Sequence, residues 1–192
     1  MPPKSRRDDL VEAALRLFLR DGFHATGIAA VLEEADVSKM TLYHHFQSKE
    51  DLILASLELR DRRFRDWLFT RMRALGGTPR AQVLALFDAL GEWFRGEALI
   101  GPGEAEVFCG CPFVKAAAEY ADPEDPIHKL SAEHKRRIVE TVGEMCHAAQ
   151  LPEPERLARR FALLKEGAIA DATIAGDATA AAEAKLMAVR LL

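Results

Sequence analysis

Residues 38–52 read SKMTLYHHFQSKEDL, and this stretch decides the fold. Leu42 and Phe46 are four apart, the spacing at which two side chains share one face of a helix. Ser38 stands where an N-cap residue belongs, so a short helix is expected from there to about Phe46, with its apolar pair turned inward. Lys39 and Tyr43 are also four apart, as are Met40 and His44. With Thr41 they form an outer face of long hydrogen-bonding side chains. Ser48-Lys49-Glu50-Asp51 then carries the capping signature that precedes an apolar run.

Working outward, Leu10, Ala14, Leu17 and Phe18 predict a helix over about 8–21, stopped by Gly22 in the left-handed region. Thr26 is expected to cap a short helix carrying Ile28, Ala29, Val31, Leu32 and Ala35. Asp36-Val37 then makes a tight turn. Downstream, Ile53, Leu57, Phe64, Leu68 and Leu75 predict one long helix over about 48–75, closed by Gly76-Gly77. Thr78-Pro79 opens another, with Val83, Leu86, Phe87, Leu90 and Phe94 on one face. Gly and Pro interrupt the pattern over 96–112. Further helices are expected over 112–121, 127–149, 155–175 and 178–192. No stretch alternates as a strand would. The expected fold is therefore all-α with about nine helices. A three-helix unit over 1–50 leads, a larger helical domain over 51–192 follows, and the helix at 48–75 bridges them.

Composition bounds the function classes. The chain has 192 residues, 49% apolar and 29% charged, which is ordinary for a globular domain. No apolar run is long enough for a membrane span, and the basic N-terminus lacks the apolar stretch of a secretory signal. Three cysteines, an odd number, fit a cytoplasmic protein with reduced thiols. Net charge is −4, but its distribution is uneven: residues 1–73 hold 13 basic and 12 acidic side chains, and 74–192 hold 13 and 18. Lys4, Arg6 and Arg7 form a short basic arm, and Arg60, Arg62, Arg63, Arg65, Arg71 and Arg73 a second cluster. Such local excess suits a polyanion-facing surface.

Two short helices joined by a tight turn make a helix-turn-helix, whose second helix enters the DNA major groove. On that helix Lys39 is best placed for a guanine edge, and the methyl or hydroxyl of Thr41 for a neighbouring base. Tyr43, His44, His45 and Lys49 suit phosphate oxygens, which position without reading sequence. Thr26, Ser38 and Ser48 sit at expected helix starts, where phosphate is also attracted. Arg6 and Arg7 can reach an adjacent groove or backbone.

Residues 8–55, including LRLFLRDGFHATGIAAVLEEADVSKMTLYHHFQSKEDLILA, resemble the DNA-binding domain of the tetracycline-repressor (TetR) family. The Gly-Phe pair after the first helix, the SKxTLYHHF recognition helix and the SKEDL that follows carry the resemblance. It implies that Lys39, Met40 and Thr41 face bases and that Tyr43, His44, His45 and Lys49 contact phosphate. Asp36 stands where the family often has Gly, and Asp tolerates a left-handed turn. The stretch GCPFVKAAAEYADPEDP resembles a pattern in some uncharacterised members, which fixes no ligand.

The resemblance further implies a C-terminal domain that binds a small molecule and dimerises. The small-residue runs GAIADATIAG and ATAAAEA allow close helix approach. With Leu163, Leu164, Ala168, Ala172, Leu186 and Val189 they are expected to form a homodimer interface, and a twofold dimer calls for a near-palindromic DNA operator. Trp67, Trp93, Phe94, Phe108, Cys109, Phe113, His134 and Phe161 are candidate linings of a pocket for an apolar or aromatic ligand. A repressor released when that ligand moves the bridge helix is the expected function.

Alternatives rest on the thiols. Cys109 and Cys111, in C-x-C, could sense oxidants or electrophiles, or hold a thiophilic metal with Cys146, His147 or His134. A helical scaffold without DNA binding is a further alternative, as is an all-α enzyme, though no paired-carboxylate, phosphate-loop or nucleophile-elbow signature is present. No cofactor is called for.

Overall fold

The structure is a computed structural model that describes residues 5–101 and 107–192. Lys4 of the basic arm and part of the Gly/Pro-rich stretch lie outside the described residues. Among the described residues all regular structure is helical. The helices are α1 (Arg6–Asp21), α2 (Ile28–Ala35), α3 (Lys39–His45), α4 (Lys49–Leu75), α5 (Pro79–Phe94), α6 (Pro112–Glu119), α7 (Pro126–Ala148), α8 (Pro154–Ala175) and α9 (Ala180–Val189). None is long and apolar enough to cross a membrane.

Local chemistry explains several helix starts. Ser5 and Asp8 form a reciprocal capping box at the start of α1, two residues earlier than the apolar stripe suggested. Thr78 caps α5, with Pro79 in its first turn. Asp51 donates its N–H to Ser48 Oγ at 3.1 Å and accepts from the Gln47 N–H at 3.0 Å, which fixes the entry to α4. The expected Thr26 cap is corrected: the N-cap of α2 is Gly27, with no side-chain hydrogen bond. Thr26 is buried, and its hydroxyl donates to Gly22 O at 2.7 Å, so it ties the α1–α2 loop to itself. The last helix is shorter than 178–192: it starts at Ala180, after a local turn in which Asp177 holds Thr179, and ends at Val189.

The chain divides into two units. The first is Met1–Arg62 with Cys111–His134; the second is Arg63–Gly110 with Lys135–Leu192. The division runs through α4 and α7 and brings α6 into the first unit.

In the first unit Leu10, Ala14, Leu17 and Phe18 of α1 are buried with Phe23, Val31, Leu42, Phe46, Leu52, Ile53 and Leu57. The same unit holds a buried polar cluster. His134 Nδ1 is 2.7 Å from Asp61 Oδ1, and the imidazole stacks on Phe113 with centroids 3.6 Å apart.

In the second unit α5, α8 and α9 pack together around Phe87, Leu90, Trp93, Leu157 and Phe161. Lys165 is buried on the core face of α8 and pairs with Glu166, which also accepts from Lys135 Nζ at 2.6 Å. Burial alone would raise the Glu166 carboxyl, but the two ammonium groups outweigh it and hold the group down to about 2. A carboxyl lowered on folding stabilises the native state above its unfolded value and loses that contribution as pH falls through its folded value. Acid titration of stability should therefore show a component, on the order of 2 kcal/mol after allowing for solvent screening, lost between roughly pH 4.5 and 2. Urea midpoints for the parent chain and Glu166→Gln across that range test this. Equal acid sensitivity in both would sink the assignment.

Candidate nucleic-acid interface

The interface is built on α3. Ser38 Oγ accepts from the Thr41 N–H at 3.1 Å and lies 2.9 Å from Thr41 Oγ1, so cap and hydroxyl lock the first turn. Before it, Asp36 adopts φ 50 and ψ 52, and its N–H bonds to Leu32 and Glu33 carbonyls. This is the left-handed turn residue that the angle between α2 and α3 requires, supplied by Asp where Gly is the easier choice. Leu42 and Phe46 are buried, as their spacing predicts.

The opposite face is open. Lys39, Met40, Tyr43, His44 and His45 are all exposed, and Thr41 is half-buried. Lys39 Nζ lies 5.8 Å from the Tyr43 ring centroid, and the rings of His44 and His45 meet edge to face with centroids 4.9 Å apart. Arg7 lies over the Phe46 ring at 5.2 Å, which anchors the base of the N-terminal arm, while Arg6 faces Asp9 at 3.7 Å. Lys49 Nζ donates to His24 O at 3.2 Å and remains on the outer surface beside the loop.

Sequence reasoning missed what holds that loop. Glu119, at the end of α6, accepts the backbone N–H of Phe23 at 3.1 Å and of His24 at 2.6 Å, and lies 2.9 Å from His24 Nδ1. Burial pushes its carboxyl up, but these donors prevail and hold it below the usual range. Lys115 Nζ donates to Leu19 O at 3.3 Å, and Tyr120 stacks on the His24 ring. Nothing local to residues 19–24 signals partners more than 90 positions away.

The candidate ligand residues separate. In the second unit a cavity of about 340 Å³ is lined by Phe94, Phe108, Cys109, Ala172, Thr173, Gly176 and Ala178. Phe94, Phe108 and Cys109 therefore belong to it. Trp93 backs it, its ring 4.9 Å from Phe108, while Trp67 lies against Phe64 and Phe161 is core against Phe87. The assignment of Phe113 and His134 to this pocket is corrected: both sit in the first unit, stacked on each other beside Asp61. Gly110, with φ +86, closes against Thr173; a Cβ there would lie 2.9 Å from the Thr173 hydroxyl.

The candidate dimer residues also separate. Leu163, Leu186 and Val189 are exposed, joined by Ile174 and Met187. Leu164 is half-buried. Ala168 and Ala172 are corrected: both are buried within the chain, whereas Gly167, Ala170 and Ala175 are exposed small residues of α8.

Among the described residues no three His, Cys, Asp or Glu side chains gather as metal ligands. His147 is instead paired with Glu155, and burial pushes the Cys146 thiol up to about 11.

A capped seven-residue helix with an inward Leu-Phe pair and an outward polar face, set after a left-handed turn, defines a helix-turn-helix DNA-binding regulator. Residues 10–56 match the profile of bacterial regulatory proteins of the tetR family. The chain aligns with a TetR-family transcriptional regulator of Streptomyces coelicolor of known structure, with 33% identity, a TM-score of 0.80, and 96% of this chain and 92% of that one covered. It is 24% identical to the HTH-type transcriptional regulator YjdC of Escherichia coli over 85% of its own length and 81% of that protein's. It is 37% identical to the HTH-type transcriptional repressor KstR2 of Mycolicibacterium smegmatis over 45% of its length and 42% of that protein's. The chain belongs to the TetR family of transcriptional regulators. Its function is DNA-bound regulation of transcription, and it is not an enzyme.

Proposed function

We propose that two copies of the chain bind a near-palindromic operator in the bacterial cytosol and repress transcription until a small apolar or aromatic ligand releases them. The outward face of α3 carries this reading: Lys39, Met40 and Thr41 toward bases, Tyr43, His44, His45 and Lys49 toward phosphates, with Arg6 and Arg7 on the flanking backbone. The apolar face of Leu163, Ile174, Leu186, Met187 and Val189 supports the homodimer, since so much exposed apolar surface on two adjacent helices suits a second copy. The cavity beside Phe94 and Phe108 supports an apolar ligand. Release requires that the ligand bind the DNA-incompetent state better, by about 1–3 kcal/mol in typical regulators.

Selection of duplexes from a random pool tests the core of the proposal. A palindrome with half-sites about one helical turn apart is expected. Failure of a folded dimer to enrich any sequence would sink it. With the operator in hand, Tyr43→Ala should weaken specific and non-specific binding alike, about tenfold. Lys49→Ala should in addition flatten the slope of log Kd against log salt by about 0.9. A changed base preference in Tyr43→Ala would show that Tyr43 reads sequence instead.

A second reading is favoured by Cys109, which lines the cavity together with Phe94 and Phe108. Its thiolate would add to the β-carbon of an α,β-unsaturated carbonyl: the C–S bond forms, the C=C π bond breaks, and the α-carbon takes a proton from water. Mass spectrometry after treatment with such a compound should find Cys109 alkylated and operator affinity lowered, with no loss of affinity in Cys109→Ser. Modification of Cys109 without any loss of affinity would remove this reading.

A further inference from the structure

Resting on the operator reading above, we propose that Met40 is a specificity-determining residue that reads the 5-methyl group of a thymine in each half-site. Its position on the α3 outer face sets the argument. Every other exposed side chain of that helix ends in a polar group. Met40 is 83% exposed and carries no donor and only a weak thioether acceptor. Its neighbours are differently committed. The Thr41 hydroxyl is held by Ser38 at 2.9 Å, and the Lys39 ammonium lies over the Tyr43 ring at 5.8 Å. Met40 therefore offers the groove an exposed apolar side chain that makes no hydrogen bond within the helix, with the half-buried Thr41 methyl beside it as a competitor.

The major groove narrows the partner. Its base edges present hydrogen-bond donors and acceptors, with one apolar exception, the C5-methyl of thymine. A thioether set against the cytosine amino group or the guanine carbonyl would strip water from a polar atom and return no partner, which disfavours those bases. Against the thymine methyl the same contact removes two apolar surfaces from water. The flexible, polarisable Met chain can settle on that methyl without demanding one angle of approach. Met40 thus discriminates by shape and desolvation, while hydrogen bonding is left to Lys39.

Uracil provides the test, since it lacks the methyl and keeps the base-pairing edge. In the operator recovered by selection, each symmetric pair of thymines is replaced by uracil in turn and Kd is measured by fluorescence anisotropy. One pair is expected to matter, weakening binding by about fourfold per half-site and about fifteenfold for both. Met40→Ala, at an exposed position and checked for helical content by circular dichroism, should bind the thymine and uracil operators equally. Thr41→Ser, which removes the competing methyl but keeps the hydroxyl, should remain uracil-sensitive. The proposal is overturned if no thymine pair matters to the parent protein, or if the sensitivity survives in Met40→Ala. Failure to recover any operator is a different result, and would overturn the operator reading on which this one rests.

Discussion

Leu42→Ala is expected to destabilise the protein by about 3 kcal/mol and to abolish operator binding at concentrations that saturate the parent chain. Leu42 is 0% exposed and is the inward anchor of α3, a helix of seven residues. A helix that short does not form on its own in water, because its nucleation is unfavourable and few hydrogen bonds repay it. The Ser38 cap contributes about 1 kcal/mol, and the rest comes from burying Leu42 and Phe46 against the first helices. Truncating Leu42 leaves a cavity under the first turn and removes the reason for the outer face to hold its orientation. Stability falls through packing and binding through geometry, from one deletion. Urea denaturation and gel shifts measure the two effects. Intact operator affinity alongside the stability loss would mean that α3 is held mainly by its caps.

The second large effect lies in the buried polar cluster. Asp61→Ala is expected to lower stability by about 3–5 kcal/mol, because it leaves the His134 imidazole without the carboxylate that faces it. The side chains are 2% and 3% exposed, and the Nδ1 to Oδ1 distance is 2.7 Å. Asp61→Asn keeps a hydrogen-bond acceptor and should lose markedly less. Thermal melts of both variants decide the matter. Equal losses would show that charge, not hydrogen bonding, holds the pair. A negligible loss in Asp61→Ala would show that the cluster rearranges without it.

Local signals made α3 legible in the sequence. The Ser38 cap, the Leu42–Phe46 spacing and the Asp36 turn each depend on residues within a few positions. The start of α2 is not legible in the sequence, because Thr26 can serve either as cap or as loop tie. Its bond to Gly22 O decides between them, and spacing does not. The burial of Ala168 and Ala172 is hidden for a related reason. Small residues stand on both faces of α8, Gly167 and Ala170 outside and Ala168 and Ala172 inside, and the packing of α5 and α9 against α8 decides which face is inner. Aromatic residues gave the same ambiguity. Phe94 and Phe161 share a composition, yet one walls a cavity and the other fills core. Glu119 had no local signal at all.

The clasp that Glu119 and Lys115 make on residues 19–24 bears on modularity. The DNA-binding unit takes in Cys111–His134 as well as the N-terminal residues. A head recombined at residue 50 or 62, by gene shuffling or in a chimeric regulator, would leave behind the helix that fixes the loop ahead of α2. Swapping operator preference between relatives therefore means transplanting two stretches of sequence together, or changing the α3 outer face alone and leaving the clasp in place.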